Sequence, residues 1–374
     1  MIPYDDLAKV NQKYTLLFKS RFSRFLEKGW YVLGEEVKRF QEDFAAYNNM
    51  KHCVGVANGL DALTLSLLVL NLPKGSEVIV PSNTYIASIL GIIHAGHIPV
   101  LVEPDMATYN IDPLKIEEAI TSKTKAIMVV HLYGKCCNMD LIIALAKLKN
   151  LHIIEDCAQA HGATYKGRMA GTFGTMNGFS FYPSKNLGAL GDAGAVLTND
   201  ETLCEELKRI RNYGSHGKYY NEIIGYNSRL DELQALFLQI KLPYLNRINQ
   251  QKRMFAQLYL KHLNGQYILP VVEEDNFDVY HIFNIRHPQR DQLKAYLLNM
   301  GIGSEIHYPV SPNHQKALQG FVEKKRYPIS EEIHATTLSL PCSSCHTEAD
   351  IYRIIEALNA FEGKNKSNFK NSSI

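Results

Sequence analysis

The stretch EVIVPSNTYIASILGIIHAGHIPVLVE, residues 77–103, holds the pattern that decides the fold. A β-branched run is followed by a polar turn, a helical segment and a second β-branched run. This alternation is typical of βαβ units, in which a helix joins two parallel strands and covers the sheet. We therefore predict an α/β protein with a mainly parallel sheet and helices on both faces.

The same alternation extends in both directions from this stretch, between Lys51 and about Asn199. Its further strand candidates are CVGVA at 53–57, AIMVVHLYG at 126–134 and HIIEDCA at 152–158. In sheets of this kind ligands bind at the carboxyl ends of the strands. The first candidates for a functional site are the residues that follow the β-branched runs, which are Asn58, Gly59, Asn83, Tyr85, His131 and Asp156.

The domain organisation changes after the predicted sheet. Residues 201–253 carry Leu, Glu, Lys and Arg at helical spacing, and LDELQALFLQIKL predicts a long amphipathic helix that links two domains. Beyond it, YHIFNIRHP and GIGSEIHYPV predict strands, and residues 289–299 and 348–361 predict helices. We expect a large α/β domain at 1–244, a smaller α+β domain at 245–362 and a flexible tail at 363–374.

Composition narrows the class of partner. Of the 374 residues 46% are apolar, and 40 basic residues stand against 38 acidic ones, for a net charge of +2. This weak charge does not favour binding to nucleic acid or to a membrane surface. No run approaches about 18 apolar residues, and the N-terminus lacks the order of a secretory signal. We expect a cytoplasmic protein that acts on small molecules.

The seven cysteines predict reduced thiols, since two of them, Cys136 and Cys137, are adjacent. Cys342-Ser343-Ser344-Cys345-His346 has the spacing of a haem attachment or of half a zinc site. No second Cys/His pair lies nearby in the sequence. A turn is therefore favoured over a metal site, and we expect no metal.

The stretch GFSFYPSKNLG, residues 178–188, surrounds Lys185 with small, aromatic and apolar residues. Burial lowers the pKa of a lysine towards the neutral amine that attacks an aldehyde. Lysines in glycine-rich loops also bind phosphates. The residues of this stretch alone leave both roles open.

Further candidates surround the lysine in the predicted arrangement. Asp156 is expected at a strand end, where a protonated pyridine nitrogen would be a suitable cationic partner, although a helix N-cap fits the same position. Gly59 opens a helix whose N–H groups can meet a phosphate, and the hydroxyl of Ser180 would add a donor. Tyr85, at a neighbouring strand end, offers an aromatic ring to cover a flat cofactor.

Eight motifs follow one another along nearly the whole chain. They are Gly34-Glu35-Glu36-Val37, ANGLDAL, PSNTYIAS, HLYG, EDCAQAHGA, FSFYPSKNLGALGDAGA, GYNSRLDELQA and His307-Tyr308-Pro309. Taken in order, these motifs resemble the DegT/DnrJ/EryC1/StrS family of sugar aminotransferases, which have the fold-type I (aspartate aminotransferase-like) architecture.

The resemblance implies pyridoxal 5'-phosphate as cofactor, with Lys185 bound to its aldehyde and moving protons during turnover. It implies that Asp156 pairs with the pyridine nitrogen and that Gln159 pairs with the ring hydroxyl. The active unit would be a homodimer with shared sites. The remaining implied cofactor contacts are Gly59, Leu60 and Ser180 at the phosphate, Tyr85 on the ring, and Asn227 reaching the phosphate from the neighbouring subunit.

The resemblance also implies the reaction. Glutamate would give its amino group to C3 of a dTDP-linked 3-keto-6-deoxyhexose, for deoxyamino sugars of surface glycans such as lipopolysaccharide or capsule. The expected substrate wall is Gly34, Tyr182, His307 and Tyr308. The sequence departs from the family pattern at Lys135, Cys136 and Cys137, where Lys135 would bear on the sugar nucleotide or the partner subunit.

Four other readings stay open at this stage. The first is a 4-aminotransferase acting on a UDP- or dTDP-4-keto-6-deoxyhexose. The second is a dehydratase of the same family, which would carry histidine in place of Lys185. The third is a regulatory protein that binds the cofactor or a sugar nucleotide as a signal. The last is a structural ion pair between Lys185 and Asp156.

Overall fold

A computed structural model describes residues 1–362. The tail predicted at 363–374 lies outside these residues. The strands are β1 His52–Val56, β2 Glu77–Pro81, β3 Ile98–Val102, β4 Thr124–Val130, β5 His152–Asp156, β6 Thr164–Tyr165, β7 Arg168–Met169, β8 Met176–Ser180, β9 Gly194–Thr198, β10 Ser215–Gly217, β11 Tyr220–Asn221, β12 Asn276–Phe277, β13 Phe283–Arg286 and β14 Thr337–Leu340.

The α-helices alternate with the strands through the first half of the chain. They are α1 Leu7–Gln12, α2 Thr15–Lys28, α3 Glu35–Tyr47, α4 Gly59–Val69, α5 Ile86–His94, α6 Pro113–Ala119, α7 Met139–Lys149, α8 Glu201–Ile210, α9 Glu232–Lys241, α10 Leu245–His262, α11 Arg290–Asn299, α12 Pro328–Thr336 and α13 Glu348–Asn359.

The central sheet has seven strands in the order β1-β9-β8-β5-β4-β2-β3. The pairs β2–β3, β2–β4, β4–β5 and β5–β8 are parallel, whereas β9 runs antiparallel to both β8 and β1. All five β-branched runs of the sequence form strands of this sheet. The predicted α/β architecture with a mainly parallel sheet is confirmed.

Both faces of the sheet are covered. In β2, Ile79 packs into one hydrophobic core while its neighbours Val78 and Val80 pack into a second core on the opposite face. In β4, Ile127 and Met128 divide in the same way. Because successive side chains of a strand point to opposite faces, a doubly covered strand must be apolar at every position. This explains the continuous apolar runs.

Two local predictions are wrong at least in part. LDELQALFLQIKL forms a helix, α9, as predicted, but α9 is only ten residues long and is buried on nearly every side. The helical pattern at 201–253 is broken by the β10–β11 hairpin. GIGSEIHYPV forms no strand but only isolated bridges at Ile302 and Glu305. Its glycines and its Tyr308-Pro309 pair oppose continuous pairing, since proline lacks a backbone donor.

A separate hydrophobic core fills the C-terminal part of the chain. It joins α10, α11 and α13 to the antiparallel pair β13–β14 and includes Phe255, Phe283 and Leu338. We propose a domain boundary at about residue 245, where α10 begins. Within residues 1–362, no helix has the length and apolar character needed to cross a membrane.

Candidate active site

A cavity of about 1530 Å³, including its open mouth, lies at the carboxyl ends of the parallel strands. Elements far apart in sequence line it: the start of α4, the start of α5, the end of β5 and the loop between β8 and β9. The predicted site residues in its wall are Gly59, Leu60, Tyr85, Asp156, Gln159, Ser180, Tyr182, Lys185, His307 and Tyr308.

Asp156 ends β5 and is buried at 7% exposure. Its Oδ2 accepts a hydrogen bond from Ser88 Oγ at 2.7 Å, and its Oδ1 accepts one from the Ala158 N–H at 3.1 Å. Burial raises the pKa of the carboxyl group, against the lowering effect of these two donors and of Lys185. A buried carboxyl held in this way would be stabilised as an anion by a cationic ligand in the cavity.

Lys185 lies on the loop between β8 and β9, and its backbone N–H donates to the Tyr182 carbonyl at 2.8 Å. Burial lowers the pKa of its amine to about 8, although Asp156 acts in the opposite direction. The two side chains face the same cavity without forming an ion pair. The structural ion-pair reading of the sequence is therefore wrong, and a ligand can occupy the space between the two groups.

The lysine loop is anchored to α10. The amide of Asn186 donates to Asn249 Oδ1 at 2.8 Å and to the Val279 carbonyl at 3.1 Å. Asn249 in turn donates to the His161 carbonyl at 2.8 Å, in the turn that follows Asp156. Asn186 and Asn249 are both buried. These amides therefore fix the lysine loop relative to the end of β5.

Gly59 and Ser180 touch across the floor of the cavity. A Cβ on Gly59 would lie 2.5 Å from the Ser180 Cβ and 3.1 Å from its Oγ. Only glycine permits this approach of α4 to the end of β8. Asn58 caps α4 by accepting from the Asp61 N–H at 2.8 Å. The first N–H groups of α4 and the Ser180 hydroxyl therefore converge, as anion binding at a helix N-terminus requires.

Aromatic and amide groups form another wall. The rings of Tyr85 and Tyr308 lie 5.1 Å apart between centroids. Gln159 donates from Nε2 to the Tyr308 hydroxyl at 2.9 Å and accepts the Tyr133 N–H at 2.6 Å. The sequence analysis places Tyr308 in the substrate wall and Tyr85 and Gln159 at the cofactor ring. In the structure, Tyr308 lies beside both of these residues.

Histidines close the cavity from the C-terminal part of the chain. His307, a predicted residue, pairs through Nδ1 with Ser339 Oγ at 2.9 Å, and burial, followed by Lys185 and Lys294, lowers its pKa to about 4. His281 also lines the cavity and was missed by the sequence analysis. It lies inside YHIFNIRHP, where only strand character is evident.

The structure places two predicted residues outside this cavity. Gly34 caps α3, and its N–H donates to Glu232 Oε1 at 2.7 Å. A Cβ on Gly34 would lie 2.4 Å from Trp30 and 2.9 Å from Glu232, so a side chain here would displace one of these groups. Asn227 is exposed and forms a backbone bridge with Asn212. Neither residue lines the cavity that holds Lys185 of its own chain.

Lys135 is buried at 6% exposure, and its Nζ lies 3.0 Å from Asp278 and 3.1 Å from Glu273. This internal ion pair holds the amine, so any effect of Lys135 on the sugar nucleotide or a partner would be indirect. Cys136 and Cys137 are buried free thiols. These three residues therefore lie in the interior.

Two clusters of side chains that could bind a metal ion form hydrogen bonds within the protein instead. His131, Glu155 and Cys157 lie together, but Glu155 accepts the His131 ring at 2.8 Å and three backbone N–H groups of residues 171–174. His346 of the CxxCH stretch accepts the Ser343 N–H at 3.0 Å and lies 2.9 Å from the Pro3 carbonyl. Both groups tie loops to the core.

The sheet order, the lysine loop and the cavity define a fold-type I protein of the aspartate aminotransferase-like class. A family model described as the DegT/DnrJ/EryC1/StrS aminotransferase family matches residues 15–359. The chain belongs to this family.

Similar proteins cover nearly the whole chain. It is 53% identical over 362 residues, 96% of this chain and 99% of the relative, to dTDP-3-amino-3,6-dideoxy-alpha-D-galactopyranose transaminase from Aneurinibacillus thermoaerophilus. It is 42% identical, over 96% of this chain and 95% of the relative, to dTDP-3-amino-3,4,6-trideoxy-alpha-D-glucose transaminase from Streptomyces venezuelae. The crystal structure of S. venezuelae DesV in complex with a ketimine intermediate superposes with a TM-score of 0.93 at 43% identity, covering 96% of this chain and 97% of that one.

Proposed function

We propose that the protein is a pyridoxal 5'-phosphate-dependent aminotransferase that moves an amino group from glutamate to C3 of a dTDP-linked 3-keto-6-deoxyhexose. The observation that carries the proposal is the unpaired placement of Lys185 and Asp156 across one cavity. Both relatives described above act, by their names, on 3-amino sugars linked to dTDP. The 3-amino product therefore has more support than the 4-amino alternative.

The residues of the cavity fit this cofactor. Its phosphate is an anion and would bind between the N-terminus of α4 and the Ser180 hydroxyl. A Cβ on Gly59 would fill the space between these two elements. Its pyridine nitrogen is a cation when protonated and suits the buried Asp156. The ring of Tyr85 and the amide of Gln159 are available for the flat ring and its hydroxyl.

When bound, the cofactor supplies an aldehyde for amine exchange and a ring that delocalises the electron pair left by a departing proton. The protein supplies the proton transfers. With a pKa near 8, the Lys185 amine has an accessible neutral form at neutral pH, which accepts a proton from carbon and returns it. Asp156, held by Ser88 and the Ala158 N–H, would keep a ring nitrogen protonated.

The substrate wall contains groups suited to a sugar. Tyr182 is 53% exposed at the mouth of the cavity, and His307 lies deeper. An aromatic face and polar ring nitrogens suit the apolar and hydroxyl faces of a hexose. The nucleotide would extend through the open mouth. We propose that the product serves surface glycans such as lipopolysaccharide or capsule, and that the reaction takes place in the cytoplasm.

A homodimer would explain the residues that lie outside the cavity. Asn227 is exposed, and the apolar side chains of Trp30, Tyr219 and Ile224 are 65%, 87% and 95% exposed. We propose that these side chains form part of the dimer interface, since large apolar patches at a surface mark such interfaces. We further propose that Asn227, and Gly34 with the pocket that it lines beside Trp30 and Glu232, complete the site of a second copy.

The function is tested by incubating the purified protein with the cofactor, glutamate and a panel of dTDP- and UDP-linked 3-keto and 4-keto sugars. Nuclear magnetic resonance of the product then locates the new nitrogen. We expect amination at C3 of a dTDP-linked sugar, and none with Lys185→Ala. Amination only at C4 would overturn the regiochemistry, and cofactor binding without any amination would favour the regulatory reading.

A further inference from the structure

A smaller cavity of about 400 Å³, including the open solvent at its mouth, lies beside the main one, and we call it the side cavity. Among the residues that line both cavities are Ser184, His281 and His307. The side cavity is also lined by Lys252 of α10 and by Tyr4 and Asp5 near the N-terminus. It therefore lies directly beside the reacting centre.

Lys252 is buried at 6% exposure. Its Nζ donates to the Cys342 carbonyl at 2.5 Å, and among residues 1–362 no carboxylate forms an ion pair with it. His281 makes no side-chain hydrogen bond to any described residue, and its Nδ1 is buried without a partner. Buried donors without an anionic partner are costly unless a ligand satisfies them.

These groups favour an anion in the side cavity. Burial, followed by Lys185 and Lys252, holds the pKa of His281 well below its usual range. Asp5 is the opposing charge, but its Oδ1 already accepts the Asp6 N–H at 2.8 Å and the Cys345 thiol at 3.8 Å. Nitrogen donors therefore dominate the wall that faces the main cavity.

The main cavity contains few other cationic groups that could bind a carboxylate. Apart from Lys185, its basic residues are His281 and His307, which also line the side cavity, and no arginine of the described chain lines it. Its acidic residues, Asp156 and Asp192, would repel a carboxylate. An amino donor with carboxylate groups needs cationic or N–H partners near the reacting centre. The side cavity offers Lys252, which has no carboxylate partner among residues 1–362, and His281, whose Nδ1 has no partner.

We propose that the side cavity binds a carboxylate of the amino donor, with Lys252 and His281 as hydrogen-bond donors. The inference rests on the proposed aminotransferase function and adds a donor subsite to it. The sugar nucleotide would occupy the main cavity without entering the side cavity. Lys252 would therefore determine specificity in the donor half-reaction alone.

The first test measures binding of glutarate, a dicarboxylate without an amino group, by isothermal titration of the holoenzyme. We expect Lys252→Met to weaken glutarate binding about 10- to 100-fold, the usual loss for one charged hydrogen bond. Lys252→Arg, which keeps the charge, should restore most of the affinity. Lys261→Met, an exposed lysine on the same helix, is the matched control and should bind like wild type.

The second test compares the two half-reactions from the absorbance of the bound cofactor. Lys252→Met should raise the apparent KM for glutamate about 10-fold or more while leaving the half-reaction with the amino sugar nucleotide unchanged. His281→Phe, which removes the other donor, should also raise the apparent KM for glutamate; because His281 lines the main cavity as well, the selectivity for the donor half-reaction is judged on Lys252→Met alone. Circular dichroism checks that each variant is folded.

The outcomes separate the two proposals. Equal glutarate affinity in wild type and Lys252→Met, or equal losses in both half-reactions, would overturn the donor subsite and leave the aminotransferase function intact. Wild-type protein that carries out neither half-reaction would overturn the proposed function, and the subsite with it.

Discussion

Replacing Gly59 with alanine directly perturbs the proposed phosphate site. The new Cβ would lie 2.5 Å from the Ser180 Cβ and 3.2 Å from the Ser180 Cα. Carbon atoms in contact prefer separations of about 3.5–4.0 Å, so the start of α4 and the end of β8 must separate by about 1 Å. Hydrogen bonds to a charged acceptor are about 2.7–2.9 Å long, and such a shift would take them beyond the useful range.

The expected loss follows from the number of contacts. Losing about two charge-assisted hydrogen bonds, at about 1.5–3 kcal/mol each, weakens cofactor binding by about 100-fold or more. Fluorescence titration of the cofactor-free protein with pyridoxal 5'-phosphate measures the Kd. Gly265→Ala is the matched control, because no atom lies within 4 Å of its added Cβ.

A double variant separates steric displacement from general damage. Ser180→Gly removes the side chain that the new Cβ would meet, at the cost of one phosphate donor. We expect the combined loss of affinity in Gly59→Ala with Ser180→Gly to be smaller than the sum of the single losses. Wild-type cofactor affinity in Gly59→Ala would refute the reasoning, since the phosphate could then not lie at this junction.

Three further predictions concern other parts of the chain. Asp156→Asn should retain cofactor but lower kcat about 100-fold or more, because the charge facing the ring nitrogen is lost; near-normal turnover would assign that role to another group. Glu155→Gln should lower the free energy of unfolding in urea by about 3 kcal/mol, since a buried amide cannot accept all four hydrogen bonds that the carboxylate accepts from His131 and from three backbone N–H groups of residues 171–174. An unchanged urea midpoint would contradict this role of Glu155. Co-expressing inactive Lys185→Ala with Asn227→Ala should restore about a quarter of wild-type activity through mixed dimers, measured as formation of the amino sugar by nuclear magnetic resonance, whereas no gain would argue against a shared site.

The local pattern of apolar residues was sufficient to predict much of the fold. The five β-branched runs form β1 to β5 of the seven-stranded central sheet. They could be recognised because a strand buried on both faces must be apolar throughout. The rule that strand ends form the ligand site then brought Gly59, Tyr85 and Asp156 to one cavity. The motif around Lys185 indicated a desolvated lysine, and the lowered pKa agrees with that reading.

The errors arose where neighbours in space are distant in sequence. α9 looked amphipathic, but other elements of the chain cover nearly all of its surface. The sequence left the role of Lys135 open, and only the fold brings Asp278 and Glu273, from the segment after α10, beside it. Gly34 lies beside Glu232 and Trp30, outside the cavity of its own chain, so its predicted substrate contact requires a second copy.

The sequence by itself determined the layered α/β architecture, because periodicity and strand ends are local features. Its ordered motifs identified the family by resemblance, and a lysine in an apolar loop predicted the reactive amine. The tertiary structure alone decided that Lys185 and Asp156 face each other without pairing, that Gly59 touches Ser180, and that Lys252 and His281 lie beside the cavity. These relations depend on how the C-terminal part packs against the sheet. Long-range packing of this kind is set by the complementarity of whole surfaces, which no short stretch of sequence encodes.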